Sequence, residues 1–331
     1  MTASGRSTGW AGRTLCAAAL LCAAAGAWAQ AYPSKPVRVL IGFPPGTTGD
    51  VIARVISPKL GEALGQQIVI DNRPGAGSSI AAEAVARALP DGHTVLLSTI
   101  ANSINPALYT NLSFDFGKDL LPVILLADVP ALLVAHPSVQ AQSVRELATL
   151  AKGKPGEIAY ASSGTGTVTH LYGELFNLNA GVKLNHIPYK GSSQAITDLL
   201  AGRIALLFSP ASTVIPHVKA NTLKPLGVIG AQRISVLPAV PTFAEQGVAG
   251  FEAGLWFGLN VPAGTPRAVI DRLNAETARV LALPEVKAQL AGQGIESGPA
   301  GFTMSEQFGA LIASETAKWS RVVRSAGIKG E

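Results

Sequence analysis

Residues 37–64 read VRVLIGFPPGTTGDVIARVISPKLGEAL and contain the pattern that decides the fold. Residues 37–43 form a β-branched apolar run, which ends at Pro44-Pro45-Gly46. From residue 50 to residue 64 the apolar side chains recur at helical spacing. The segment therefore predicts a strand, a glycine-rich loop and a helix in succession.

The same alternation continues along the chain and predicts an α/β fold with a mainly parallel sheet. We expect a buried strand at residues 68–70, and helices alone beyond Pro262. Further strands are predicted at residues 94–98, 158–161, 184–188, 204–208 and 223–229. Helices are predicted at residues 78–89, 143–151, 168–178, 193–200, 267–281, 284–291 and 303–325.

Two long apolar stretches interrupt this alternation, at residues 123–135 (VILLADVPALLVA) and 251–261 (FEAGLWFGLNV). We interpret both as crossings between two lobes, with a cleft between the lobes. In open α/β sheets ligands bind beyond the carboxyl ends of the strands. Trp256 and Phe257 on the second crossing either belong to the core or line the cleft.

The first residues are typical of a secretory signal peptide. Arg6 and Arg13 precede an apolar run at residues 15–28, and Ala27-Trp28-Ala29 fits the small-x-small cleavage rule. The apolar run at residues 15–28 is 14 residues long, whereas a membrane span needs about 20. This favours a peptide cleaved after Ala29 over a membrane anchor.

Cleavage after Ala29 changes the composition of the chain. Both cysteines, Cys16 and Cys22, leave with the peptide, so the mature chain has no disulfide, thiol nucleophile or thiolate metal site. The net charge falls from +5 to +3, because Arg6 and Arg13 are also removed. With 48% hydrophobic and 14% charged residues the chain is not disordered, and its scattered basic residues exclude a nucleic-acid tract.

Four loops rich in Gly, Ser and Thr each precede a helix, at residues 44–50, 72–78, 162–167 and 189–193. Helix N-termini present unpaired N–H groups and the positive end of the helix dipole. Such loops suit a carboxylate or another anion. The alternative is that these residues only cap their helices.

Enzyme motifs are mostly absent. Gly49 is followed by Asp50 where a phosphate-binding loop needs Lys, there is no G-x-S-x-G elbow, and the five His lack metal-ligand spacing. His170 alone lies near a candidate loop, as a capping, packing or ligand residue. Ser163 and His170 could form a nucleophile and base, but no acid is placed to orient them, so we expect no catalysis.

A set of motifs along nearly the whole mature chain is similar to the Bug receptors, the extracytoplasmic solute-binding components of tripartite tricarboxylate transporters. The order and spacing of these motifs carry the resemblance. They are Tyr32-Pro33, Phe43-Pro44-Pro45-Gly46 with Asp50, Asp71-Asn72-Arg73-Pro74-Gly75-Ala76-Gly77, Pro90-Asp91-Gly92, Asn105-Pro106-Ala107-Leu108-Tyr109, Ser163-Gly164-Thr165-Gly166 with His170, Pro188-Tyr189-Lys190-Gly191 and Pro262-Ala263-Gly264-Thr265-Pro266.

The resemblance implies a two-lobed periplasmic-binding-protein fold of type II, with the ligand cleft between lobes joined by two crossover strands. Residues 1–29 would be the signal peptide, residues 30–131 and 251–331 the first lobe, and residues 132–250 the second. It further implies a periplasmic monomer that captures a small carboxylate by hinge closure, without a cofactor or nucleic acid. The partner would be the membrane subunits of a tripartite transporter or a sensor protein. A secreted hydrolase or lyase using the same cleft is the alternative.

Residues in the loops after the strands are the candidate ligand contacts, and Asp50 is expected mainly to order the first loop. The candidates are Pro45, Thr47, Thr48, Thr99, Ala101, Asn102, Ser163, Thr165, Thr167, His170, Tyr189 and Gly191.

Two positions depart from the family pattern. The first loop has Gly46-Thr47 where the family commonly has Gly-Gly, which leaves its approach to the ligand open. Ala205 occupies a position that is often Asp in the family. The missing acid favours a ligand without an ammonium group, unless that Asp is structural.

Overall fold

The computed structural model describes residues 32–109, 111–189, 192–252, 254–293, 295–298 and 304–329. The predicted signal peptide therefore lies outside the described residues. The chain divides into two units, Met1–Ser34 and Lys35–Glu331, and the helices and strands below belong to the second.

The first part of the chain alternates strands and helices as predicted. The Val37–Ile41 strand leads into a helix whose buried positions include Ile52, Ile56 and Leu60, four residues apart, which is the spacing of one helix face. The elements are β1 (Val37–Ile41), α1 (Thr48–Leu64), β2 (Ile68–Asn72), α2 (Ser79–Ala86), β3 (Thr94–Thr99), α3 (Ile100–Leu108), α4 (Phe116–Asp119) and β4 (Leu120–Val129).

A second alternating set follows Pro130. Its elements are β5 (Ala131–Ala135), α5 (Val144–Gly153), β6 (Ala159–Ser162), α6 (Val168–Ala180), β7 (Asn185–Pro188), α7 (Ser192–Leu200), β8 (Leu206–Pro210), α8 (Ala211–Lys219) and β9 (Lys224–Ile229). Three helices, α3, α4 and α8, are absent from the sequence-based prediction. The last elements are β10 (Leu255–Pro262), α9 (Arg267–Ala282), α10 (Pro284–Gly292), β11 (Glu296–Ser297) and α11 (Ser305–Ala326).

The strands form two sheets. One has six strands in the order β11-β4-β10-β3-β1-β2, and the other has five in the order β7-β6-β8-β5-β9. The first crossing is confirmed, because β4 and β5 are separated only by Pro130 and belong to different sheets. The return through β10 brings the chain back into the first sheet.

Both sheets are mixed, which corrects the expectation of a mainly parallel sheet. β1 is parallel to β2 and β3, and β6 is parallel to β7 and β8. β10 is antiparallel to β3 and β4, and β5 is antiparallel to β8 and β9. Parallel neighbours need a helical crossover. β5 and β10 instead enter their sheets directly from the crossings between the sheets, so they can lie antiparallel to their neighbours.

Two smaller expectations were wrong. β2 is an edge strand with Val69 39% exposed, so it is not buried. The short strand β11 pairs with β4 beyond Pro262, where helices alone were expected.

Trp256 and Phe257 on β10 were expected either in the core or at the cleft, and the alternation of side chains along the strand separates the two residues. Trp256 is fully buried and its ring meets Phe308 of α11 edge to face, at 5.5 Å between centroids. Phe257 points to the other face, because successive side chains of a strand alternate. Trp256 therefore belongs to the core, and Phe257 is free to line the site described next.

Candidate functional site

A cavity of about 470 Å³ lies where α1, α3 and α6 begin, beside the carboxyl ends of β1, β3 and β6. Most of its wall comes from β10 and from the loops and helices that follow the strands of the first sheet, and the β6–α6 loop and the first residue of α6 supply the rest. The residues that line it are Phe43, Thr47, Thr48, Gly49, Gly77, Thr99, Ile100, Ala101, Ile104, Asn105, Leu108, Tyr109, Ser163, Thr165, Gly166, Thr167, Val168, Leu255 and Phe257.

Many of the candidate contacts meet in this one cavity. Those that line it are Thr47, Thr48, Thr99, Ala101, Ser163, Thr165 and Thr167. Pro45 is exposed outside it, and Gly191 lies outside the described residues. Ala205, the position of the missing acid, is half-buried before β8 and does not line the cavity.

The first loop is ordered by the buried Asp50, as the sequence analysis expects. Its carboxylate accepts hydrogen bonds from Gly46 N at 2.9 Å, from the Asn72 amide at 3.1 Å and from Arg54 at 2.8 and 3.0 Å. The Arg54 hydrogen bond is the main reason that the pKa of Asp50 lies below its ordinary value, so the group is ionised at neutral pH.

The start of α1 has no side-chain cap. The Thr47 hydroxyl donates to Pro44 O at 2.9 Å and does not accept from the helix. Thr48 and Gly49, the first residues of this 17-residue helix, line the cavity. The N-terminal N–H groups of α1 are therefore available to an anion in the cavity.

The start of α3 is capped from within. Ala101 N donates to Thr99 Oγ1 at 3.2 Å, and Thr99 N donates to Asn102 Oδ1 at 2.9 Å. This capping box engages Oδ1 of Asn102, whose side chain is buried and does not line the cavity.

The β6–α6 loop is held by its own hydroxyl groups. Ser163 N donates to Thr169 Oγ1 at 3.0 Å, and Thr167 Oγ1 donates to Gly164 O at 2.7 Å. Ser163, Thr165, Gly166 and Thr167 face the cavity. The loop therefore presents an ordered row of polar groups to whatever the cavity holds.

His170 lies behind this loop and not in the cavity wall. Its Nδ1 accepts from Gly166 N at 3.1 Å, so the ring proton is on Nε2. Burial, with His186 as a smaller cause, lowers the pKa of His170 to about 3. Burial also lowers the pKa of His186 to about 4. Both rings are neutral packing groups.

The serine and histidine suggested as a nucleophile and base have other partners. Ser163 Oγ is 2.9 Å from Thr169 Oγ1, and His170 Nδ1 is taken by Gly166. A different pair, Ser162 Oγ and His186 Nε2, is 2.7 Å apart. Ser162 is fully buried and does not line the cavity, so this pair cannot meet a ligand there.

Tyr189 is also outside the cavity wall. Its hydroxyl donates to Asp198 Oδ2 at 2.8 Å. Burial is the main cause that raises the pKa of Tyr189, with the Asp198 hydrogen bond next. The residue anchors the end of β7 to α7.

Sequence reasoning missed the apolar half of the site. It comes from the inner turns of α3, from β10 and from the end of β1. The lining residues that were not predicted are Phe43, Gly49, Gly77, Ile100, Ile104, Asn105, Leu108, Tyr109, Gly166, Val168 and Leu255, whereas Phe257 was one of two open interpretations. The sequence contained one signal for this apolar part, the alternation of side chains along a strand, which places Trp256 and Phe257 on opposite faces.

No group of three or more His, Cys, Asp or Glu residues in the described ranges could hold a metal ion. Among those residues, no helix combines the length and apolar character that a bilayer span requires.

The chain is similar to known receptors over most of its length. Residues 52–328 match the TctC family model, described as tripartite tricarboxylate transporter family receptor. Protein BugT of Bordetella pertussis is 37% identical over 303 residues, which cover 91% of this chain and 92% of BugT.

Solved structures extend the likeness to the fold. An R. palustris protein with adipate is 34% identical, with a TM-score of 0.73 and coverage of 91% of this chain and 100% of that one. MatC from Rhodopseudomonas palustris with bound malate is 30% identical, with a TM-score of 0.72 and coverage of 88% and 100%. The two mixed sheets are thus those of a two-lobed periplasmic-binding-protein fold.

Proposed function

The chain belongs to the tripartite tricarboxylate transporter receptor family, and on this premise we propose that it captures a small carboxylate in the cavity and delivers it to a membrane transporter. As a member of a receptor family it is not an enzyme, and the hydrolase or lyase alternative has no support. Relatives solved with adipate and with malate support a carboxylate as the ligand class.

The uncapped start of α1 is the observation that carries the proposal. A ligand carboxylate would accept from the N–H groups of Thr48 and Gly49, where the helix dipole favours negative charge. Hydroxyl groups across the cavity would complete its shell of donors. The proposed polar contacts are Thr47, Thr48, Thr99, Ser163, Thr165 and Thr167, and Ala101 would add only a methyl group to the wall.

Capture would occur by closure of two lobes. We assign residues 30–131 and 251–331 to the first lobe and residues 132–250 to the second. The hinge would include Pro130, between β4 and β5. A ligand that contacts the starts of both α1 and α6 binds the closed form more tightly and so shifts the population toward it.

The receptor would act in the periplasm, after removal of residues 1–29. Its partner would be the membrane subunits of a tripartite transporter, with a sensor protein as the alternative. We propose that it acts as a monomer.

A thermal-shift screen of the secreted protein tests the proposal. Adipate and malate should raise the melting temperature, whereas the matched diamides should not. A ligand at a hundredfold excess over its dissociation constant stabilises the native state by about 2.7 kcal/mol. Equal shifts with acids and amides, or no shift with any acid on ligand-stripped protein, would contradict it.

A further inference from the structure

Apolar side chains separate the polar loops of the cavity. Ile104 and Leu108 come from α3, Leu255 and Phe257 from β10, and Val168 from the first position of α6. Phe257 is 7% exposed and Leu108 is 8% exposed. Such an apolar wall favours an apolar ligand group over a hydroxyl, because the hydroxyl would lose its hydrogen bonds to water there.

These apolar walls lie directly beside the polar ends of the cavity. A Cβ atom placed on Gly49 would be 3.4 Å from Phe257 Cε1, so the ring borders the first turn of α1. A Cβ atom placed on Gly166 would be 3.2 Å from Leu108 Cδ1. A carboxylate at either loop therefore has the body of the ligand against Phe257 or Leu108.

The charges around the cavity suit one carboxylate better than several. The lining residues that the structure describes include no charged side chain. The buried carboxylate of Asp50 already occupies the first turn of α1, and Arg54 pairs with it through two hydrogen bonds. A second or third ligand charge would find no cation among these lining residues to offset it.

We propose that the cavity selects a monocarboxylate with an apolar body, of the class of hexanoate and benzoate, over hydroxy acids and tricarboxylates. Phe257, Leu108 and Val168 would hold the body, and the N–H groups at the start of α1 the carboxylate. This inference rests on the proposed function and narrows its ligand class.

Calorimetric titration of the ligand-stripped receptor with hexanoate, benzoate, adipate, malate and citrate tests the inference. We expect hexanoate or benzoate to bind at least about 10-fold more tightly than malate, because each polar group set against an apolar wall loses its hydrogen bonds. Citrate should bind most weakly. Tighter binding of malate or citrate than of both monocarboxylates overturns the inference and leaves the proposed function standing. Binding of none of the five acids overturns the proposed function itself.

An isosteric variant tests the wall directly. Val168→Thr adds one hydroxyl to the cavity wall and keeps the β-branched shape at the start of α6. It should weaken the binding of hexanoate by about 5-fold and reduce the ratio of the hexanoate and malate affinities. Val69→Thr, on the exposed edge strand β2, is the matched control and should leave both affinities unchanged. An unchanged ratio in Val168→Thr would overturn the role of this wall in selection.

Discussion

His170 and His186 stack face to face, with ring centroids 3.7 Å apart and ring planes inclined by 10°. Through Gly166 N and Ser162 Oγ the two rings hold both ends of the loop that faces the cavity. Tyr160 packs 5.0 Å from His186, and its hydroxyl donates to Glu174, whose carboxylate lies 3.9 Å from His170 Nε2. The stack therefore links the ligand loop to the core of the second sheet.

Stability should rise with pH between about 4 and 6.5 because of this stack. Burial lowers the pKa of His170 to about 3 and of His186 to about 4 in the folded protein, against about 6.5 in the unfolded chain. In that window the unfolded state binds more protons, so stability is lost as pH falls. Urea unfolding at pH 5 and pH 7 should differ by on the order of 2 kcal/mol.

The histidine variants separate this effect from general acid sensitivity. His186→Gln should reduce the difference between pH 5 and pH 7, whereas His217→Gln on α8 should keep it. Asp50, whose pKa is lowered, loses its contribution only below its ordinary value of 3.8 and so lies outside the window. A difference between pH 5 and pH 7 that is as large in His186→Gln as in the wild type would contradict the assignment.

The buried Asp50 makes a second prediction. Asp50→Asn loses the ion pair with Arg54 and turns an amide N–H₂ toward the donors of Gly46, Arg54 or Asn72. It should destabilise the protein by about 1–3 kcal/mol in urea unfolding. Glu62→Gln, in an exposed pair with Lys59, is the control and should cost less than about 0.5 kcal/mol. Equal losses of unfolding free energy in the two variants would show that Asp50 does not order the first loop.

Removal of the Thr165 hydroxyl tests whether the β6–α6 loop contacts the ligand. Its side chain is exposed in the cavity, so Thr165→Ala should weaken carboxylate binding by about 5- to 10-fold and leave unfolding nearly unchanged. Thr149→Ala, on the exposed face of α5, should alter neither. Titration calorimetry that finds wild-type affinity in Thr165→Ala would take this residue out of the site.

The sequence predicted the parts of the site that depend on local chemistry. Proline and glycine end β1, and the Ser-Gly-Thr run marks the start of α6, so Thr47 and Ser163 could be placed at the sheet edges. Long-range neighbours were not predictable in this way. Phe257 reaches the cavity because β10 inserts antiparallel between β3 and β4, and no local pattern states which strands will flank it.

The same dependence on long-range pairing explains why His170 was among the candidate contacts although it does not line the cavity. His170 lies on α6 and His186 on β7, and the stack forms because β7 pairs in parallel with β6. Before that pairing is known, a histidine after a Ser/Thr/Gly loop is equally compatible with a ligand contact. Asn102 is a similar case, since a capping asparagine and a ligand-binding asparagine occupy the same position after a strand.

The last prediction concerns closure of the site, where Gly166 lies close to Leu108. Gly166 has φ +74°, and an added Cβ would lie 3.2 Å from Leu108 Cδ1 across the cavity. Gly181, at the end of α6, has φ +61° with no atom within 4 Å of an added Cβ, so it is a matched control. Both alanine variants should lose about 1 kcal/mol of stability through the positive φ. Only Gly166→Ala should also weaken ligand binding, by about 10-fold, because its methyl group pushes the β6–α6 loop away from α3. Calorimetry that shows equal affinities for the two variants would mean that the contact with Leu108 does not limit closure.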